Sequence, residues 1–108
     1  MGDHYLLNLY GCNPDKLNDE KLIKNLLHDA AYCANMTVLN TMTYKFYPQG
    51  VTGVVMLAES HISIHTWPEE GKAAVDVYTC GSNEAPLACS VIRVQLEATD
   101  HTVEHIKR

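Results

Sequence analysis

Glu59, Ser60 and His61 directly follow an apolar run, His65 lies five residues beyond Ser60, and Cys80-Gly81 closes a later run rich in Val, Tyr and Thr. A hydroxyl, an imidazole and a thiol at adjoining strand ends are the ingredients of a nucleophile, a base and an acid. Residue types alone leave open whether Ser60 serves acyl-transfer hydrolysis or another reaction. The local sequence Ala58-Glu59-Ser60-His61-Ile62 lacks the two glycines of a GxSxG nucleophile elbow, which weighs against the hydrolase. His61 and His65 also form an H-x3-H pair, but no third ligand accompanies them and no metal site is expected. His101 and His105 share that spacing and read as a polar strand edge.

Four cysteines, at 12, 33, 80 and 89, contain no CxxC pair and no zinc-ligand spacing. Reduced thiols are therefore expected. Cys12, Cys33 and Cys89 sit beside core positions and read as small buried hydrophobes, leaving Cys80 as the thiol available for chemistry.

The elements that must position these groups follow from periodicity. Tyr5, Leu7 and Leu9 alternate with the more polar His4 and Asn8, interrupted only by Leu6, predicting a half-buried strand from His4 to Tyr10. Asn13-Pro14-Asp15 opens an amphipathic helix running to about Asn35, with Leu17, Leu22, Ile23, Leu26, Leu27, Ala30 and Ala31 on one face. Thr37 to Tyr47 is a strand ended by Pro48-Gln49-Gly50, and Val51 to Ala58 is a central strand that presents Glu59-Ser60 at its end. In the strand His61 to Thr66, period two places Ile62 and Ile64 on the core face and His61, Ser63 and His65 on the other. Trp67 to Gly71 is a turn, and Trp67 reads equally as packing anchor or pocket wall. Ala73 to Thr79 is the next strand. Pro86 opens a second helix to about Glu97, with Leu87, Val91, Val94 and Ile92 facing inward, and Thr102 to Ile106 adds an edge strand. The expected fold class is α+β, a two-layer sandwich with a largely antiparallel sheet and helices on one face.

Length and composition bound the answer. The 108 residues make one domain, residues 1–108, and the 46% hydrophobic, 19% charged composition is that of a folding globular chain. Eight Lys and Arg against thirteen Asp and Glu give a net charge of −5, so neither nucleic acid nor an anionic membrane surface is an expected partner. No apolar stretch approaches the length that spans a bilayer, and MGDHYLLNLYGC lacks the cationic start of a signal peptide; a cytoplasmic protein is expected.

The segment GVTGVVMLAESHISIHTWPEEGKAAVDVYTCG, Gly50 to Gly81, closely resembles the core of the short bacterial and archaeal S-adenosylmethionine decarboxylases, a pyruvoyl-dependent family of polyamine synthesis. HYLLNLYGC near the start and YKFYPQG before the segment extend the resemblance over most of the chain in family order. The motif ESHxxIHTWPE followed by YTCG carries the assignment.

The resemblance implies a self-processing proenzyme. Ser60 attacks the Glu59 carbonyl, the peptide rearranges to an ester, and elimination leaves a residue that hydrolyses to a pyruvoyl group, giving chains 1–59 and 60–108. That covalent cofactor forms a Schiff base with S-adenosylmethionine and supplies the electron sink that decarboxylation requires. CO2 is released and the product is the aminopropyl donor for spermidine. By position in the motif, His65 takes the α-proton of Ser60 during processing, and Cys80 is the general acid that protonates the decarboxylated carbon. Thr52 stands where many members carry a serine that assists the ester step; it keeps the hydroxyl and adds a methyl that restricts rotation. Phe46 matches the aromatic residue that stacks on adenine, a setting that also favours a sulfonium. Glu69 matches a carboxylate near the ribose hydroxyls. Asp3 departs from the pattern, since members commonly carry a basic residue before the histidine matched by His4.

The resemblance further implies a homodimer of two-chain protomers with the site at or near the interface. Two alternatives stand beside this reading: a pyruvoyl-dependent ornithine or arginine decarboxylase on the same fold, and a non-catalytic regulatory subunit. Residues 60 and 65 differ by an odd number, so a regular strand would turn them to opposite faces, and a bulge or break near Ser60 is expected. Strain at such a break would favour the acyl shift.

Overall fold

The computed structural model describes residues 1–81 and 83–108. Strand β1 spans Asp3–Tyr10, and helices α1 (Pro14–Leu17) and α2 (Glu20–Cys33) lead into β2 (Val38–Lys45). Strands β3 (Val51–Leu57) and β4 (Ser60–Trp67) follow, then a 3-10 turn at Pro68–Glu70 and β5 (Lys72–Thr79). Helix α3 (Ala85–Gln95) and strand β6 (Asp100–Lys107) complete the fold. The strands form one six-stranded sheet in the order β2-β3-β4-β5-β1-β6, every neighbouring pair antiparallel. This is the α+β sandwich expected from periodicity.

The expected single helix after β1 is two. Asp19 Oδ1 accepts from Leu22 N–H at 3.0 Å and caps α2, while Asn13 Oδ1 accepts from Asp15 and Lys16 N–H and caps α1, which has Pro14 in its first turn. Two caps six residues apart leave room for one helical turn between them. Helix α2 then buries Ile23, Leu26, Leu27, Ala30 and Ala31, spaced three and four apart, against the sheet.

Helix α3 corrects a second expectation. Its buried face is Ala85, Ala88, Cys89 and Ile92, whereas Leu87 and Val94 are exposed. Small residues allow α3 to lie close against its neighbours, and the bulkier Leu87 and Val94 are turned outward.

The core lies between the helices and one sheet face, where Leu7, Leu9, Val51, Val55, Leu57, Ile62, Ile64, Val75 and Val77 are buried. Alternation turns the second face outward, and no helix among the described residues covers it. There Met42, Tyr44, Val54 and Met56 are exposed apolar residues on β2 and β3, beside the polar residues of β4. No helix among the described residues is long and apolar enough to cross a membrane.

Candidate functional site

The functional side chains form two groups at opposite ends of β4. At its start, β3 ends at Leu57, Ala58 and Glu59 make the turn, and Ser60 pairs with Leu57 as β4 begins. The turn is fastened to the chain before β2: Ala58 N–H donates to the Thr37 carbonyl at 2.9 Å, and Thr37 N–H donates to Glu59 Oε1 at 3.0 Å. On the other side Ser60 pairs with Thr79, so that Cys80, just past β5, arrives beside Glu59.

Two donors of Cys80 converge on the Glu59 carbonyl oxygen: the backbone N–H at 3.1 Å and the thiol at 3.1 Å. This is an oxyanion-hole arrangement around the carbonyl of the Glu59–Ser60 bond. The backbone must come close to build it, and a Cβ at Gly81 would stand 3.2 Å from Glu59 Cγ, tighter than ordinary packing tolerates. Ser60 itself has φ +150°, a region essentially reserved for glycine that costs about 1–3 kcal/mol for another residue.

The hydroxyl of Ser60 lies 3.3 Å from His61 Nδ1. His61 Nε2–H donates to Asp76 Oδ1 at 3.0 Å, His4 Nε2–H donates to the same oxygen at 3.3 Å, and the Ser63 hydroxyl donates to Asp76 Oδ2. Tyr78 closes the group, its ring centroid 5.5 Å from that of His4 and 6.1 Å from that of His61. Burial pushes the Asp76 carboxyl up, but the bonds from Ser63, His4 and His61 outweigh it and hold the group below the ordinary carboxylate range.

The far end of β4 carries the second group. Phe46, Gln49, Gly50, Thr52, His65, Thr66, Trp67 and Glu69 line a cavity of about 380 Å³, within the range of small-molecule sites. Thr52 Oγ1 and His65 Nδ1 are hydrogen-bonded at 3.0 Å, directly across the β3–β4 pairing. Buried Thr66 fixes the floor: its hydroxyl accepts from Val51 N–H and donates to the Leu17 carbonyl, each at 2.8 Å. Asn18 Oδ1 accepts from Gly50 N–H at 2.9 Å, tying the chain between α1 and α2 to the cavity edge. Trp67 is half exposed and acts as cavity wall, which resolves its two readings.

Of the residues singled out in the sequence, Glu59, Ser60 and Cys80 therefore meet at one end, and Phe46, Thr52, His65 and Glu69 share the cavity at the other. Five residues of extended chain separate Ser60 from His65, roughly 16 Å. Of the expected bulge or break near Ser60, it is a break that occurs: β4 pairs in unbroken register with β3 and β5 from Ser60 onward, and the break lies in the Ala58–Glu59 turn and the Ser60 backbone.

Cys12 and Cys89 are buried as anticipated, but Cys33, the last residue of α2, is exposed like Cys80. Asp3 is engaged by β6: its carboxylate accepts from His105 Nε2–H at 2.7 Å and Lys107 Nζ at 3.0 Å, bonds that lower its pKa. Sequence reasoning missed Asp76 and left His61 without a role. Their signal was an acidic residue in the otherwise apolar Ala73-Ala74-Val75-Asp76-Val77, which the register sets opposite Ser63 on the polar face.

The profile of the family described as S-adenosylmethionine decarboxylase matches residues 3–108. The chain is 50% identical to the S-adenosylmethionine decarboxylase proenzyme of Parasynechococcus marenigrum (strain WH8102), covering all of this chain and 85% of that protein. It is likewise 50% identical to the proenzyme of Prochlorococcus marinus (strain MIT 9313), covering all of this chain and 87% of the relative. Among solved structures, the adenosylmethionine decarboxylase of Aquifex aeolicus superposes with a TM-score of 0.94 at 46% identity, over all of this chain and 90% of the other.

Proposed function

This chain belongs to the S-adenosylmethionine decarboxylase family, and we propose that it decarboxylates S-adenosylmethionine after cutting itself between Glu59 and Ser60. The observation that carries this reading is the Glu59 carbonyl, held by two donors of Cys80 and followed by a strained Ser60. In an ordinary turn that peptide bond is inert. Here the oxygen that gains negative charge during attack already faces N–H and S–H, and breaking the peptide bond relieves the Ser60 backbone.

These residues fit a pyruvoyl group made from Ser60 at the new end of chain 60–108. That group, once present, supplies the carbonyl through which the substrate amine is held and its electrons are drawn off. Cys80 lies at the junction where that end forms, and in this reading its thiol returns a proton to the substrate carbon. Phe46 and Glu69 line the cavity with an exposed aromatic face and a carboxylate, a setting that suits a cationic nucleoside.

The roughly 16 Å of extended chain between Ser60 and His65 bears on assembly. A histidine that takes the Ser60 α-proton must come within hydrogen-bond reach of it, and His65 of the same chain stands at the far end of β4. A homodimer joined through the uncovered sheet face brings the partner's copy of this segment to Ser60 and covers Met42, Val54 and Met56. The working protein is then a cytoplasmic dimer of two-chain protomers with sites completed across the interface.

The test is CO2 release from carboxyl-labelled S-adenosylmethionine, with ornithine and arginine in parallel. Release from the nucleoside alone is expected. Release from ornithine or arginine alone, or from none by the cleaved protein, overturns the reading.

A further inference from the structure

In the first step of self-cleavage the proton of the Ser60 hydroxyl needs a base to receive it. The nearest base is not His65 but His61, whose Nδ1 lies 3.3 Å from Ser60 Oγ. Resting on the self-cleavage reading, we infer that His61 is the general base of the acyl shift and that Asp76 is its positioning residue.

The tautomer follows from the hydrogen bonds. A carboxylate only accepts, so the 3.0 Å contact between His61 Nε2 and Asp76 Oδ1 places the imidazole proton on Nε2. Nδ1 is left with a lone pair directed at the Ser60 hydroxyl. The carboxylate is itself immobilised by His4 and Ser63, one bonded to each oxygen. This is the logic of a nucleophile, a base and an orienting acid, with the two ring nitrogens exchanged relative to the serine-protease arrangement.

The step balances within the chain. Ser60 Oγ bonds to the Glu59 carbonyl carbon as its proton passes to His61 Nδ1, and the carbonyl oxygen takes negative charge between Cys80 N–H and S–H. Collapse breaks the Glu59–Ser60 C–N bond, and His61 returns the proton to the departing amine. An ester replaces an amide, with no net change in protons and no outside reagent.

The other titratable groups around the imidazole are His4, Asp76 and Tyr78, from β1 and β5. His4 is also bonded to Asp76, but its ring lies on the β1 side of that carboxylate, and the contact to Ser60 belongs to His61.

The experiment is a time course of freshly translated full chain, following conversion of precursor into chains 1–59 and 60–108 by intact mass. His61→Ala is expected to slow conversion about 10²- to 10³-fold, the range of a lost general base. Added imidazole should restore part of the rate, which a structural defect would not allow. His61→Gln keeps a donor toward Asp76 but has no basic nitrogen; it should be as slow as His61→Ala and remains informative where alanine fails to fold. Asp76→Asn should slow conversion at least tenfold, with Asp76→Glu recovering part of the loss. His61→Gln converting at the wild-type rate, or a slow His61→Ala that imidazole leaves unchanged, overturns the inference while self-cleavage stands. A wild-type chain that never divides at Glu59–Ser60 removes the self-cleavage reading itself.

Discussion

The carbonyl oxygen of Glu59 accepts two hydrogen bonds from one residue, the backbone N–H and the thiol of Cys80, each at 3.1 Å. Under the proposed function one side chain serves two reactions in succession: it polarises the bond to be cut, and afterwards it stands at the new chain end as a proton donor. Cys80→Ala removes the thiol and keeps the N–H. Because a thiol is a weak donor, self-cleavage should slow only about tenfold, below the usual loss for an oxyanion-hole group. Decarboxylation by the cleaved variant should fall at least about 10²-fold, as for a missing general acid. An unchanged rate of self-cleavage or of decarboxylation would remove Cys80 from that step; gel and CO2 assays on the same preparation read both.

Thr66 holds the cavity floor by bonding two different segments from one hydroxyl. Thr66→Val keeps the shape but leaves Val51 N–H and the Leu17 carbonyl without this partner in a buried setting. A loss of about 1–3 kcal/mol in unfolding free energy is expected by denaturant titration. An unchanged midpoint would mean that the clip adds nothing to stability.

The thiols divide by burial. Iodoacetamide under native conditions should modify Cys33 and Cys80 promptly and spare Cys12 and Cys89, with peptide mapping as the readout. Burial pushes the Cys89 thiol from 9.0 up to about 11. The folded chain binds that proton more tightly than the unfolded one, so the contribution is complete below pH 9 and is lost as the pH rises to about 11. Melting temperature should fall across that interval, and Cys89→Ala should flatten part of the fall. On the acid side the sign reverses. The lowered Asp76 pKa stabilises the fold above the ordinary carboxylate range, and that contribution is lost as the pH drops through the folded value.

The uncovered sheet face predicts the assembly. Met56→Lys places a charge among Met42, Val54 and Met56 without touching the core. The wild type should sediment as a dimer of 12.1 kDa protomers and the variant as a monomer that self-cleaves poorly, because the partner's histidine is missing. A monomeric wild type with full activity contradicts the shared site.

How much of this was legible in the residues varies with the kind of signal. Period-two alternation located β4 and assigned its faces correctly, because burial on one side dictates the pattern. The division between α1 and α2 was written in Asn13 and Asp19, but an unbroken apolar face hid it; capping competes with periodicity and here prevailed locally. For α3, hydrophobicity favoured Leu87 and Val94, while close helix packing selected Ala85, Ala88 and Cys89, a preference set by tertiary spacing. Glu59, Ser60 and Cys80 were visible as a motif. Asp76 was not, since its meaning depends on the strand register that sets it beside Ser63 and His61.

The denatured intact mass of the purified protein decides directly whether the Glu59–Ser60 bond opens. Two chains are expected of self-cleavage, residues 1–59 and residues 60–108, the second blocked at its start by a pyruvoyl group. Conversely, a single persistent chain of 12.1 kDa would contradict it, leaving the Glu59 carbonyl and its two donors as a feature of a turn that never opens.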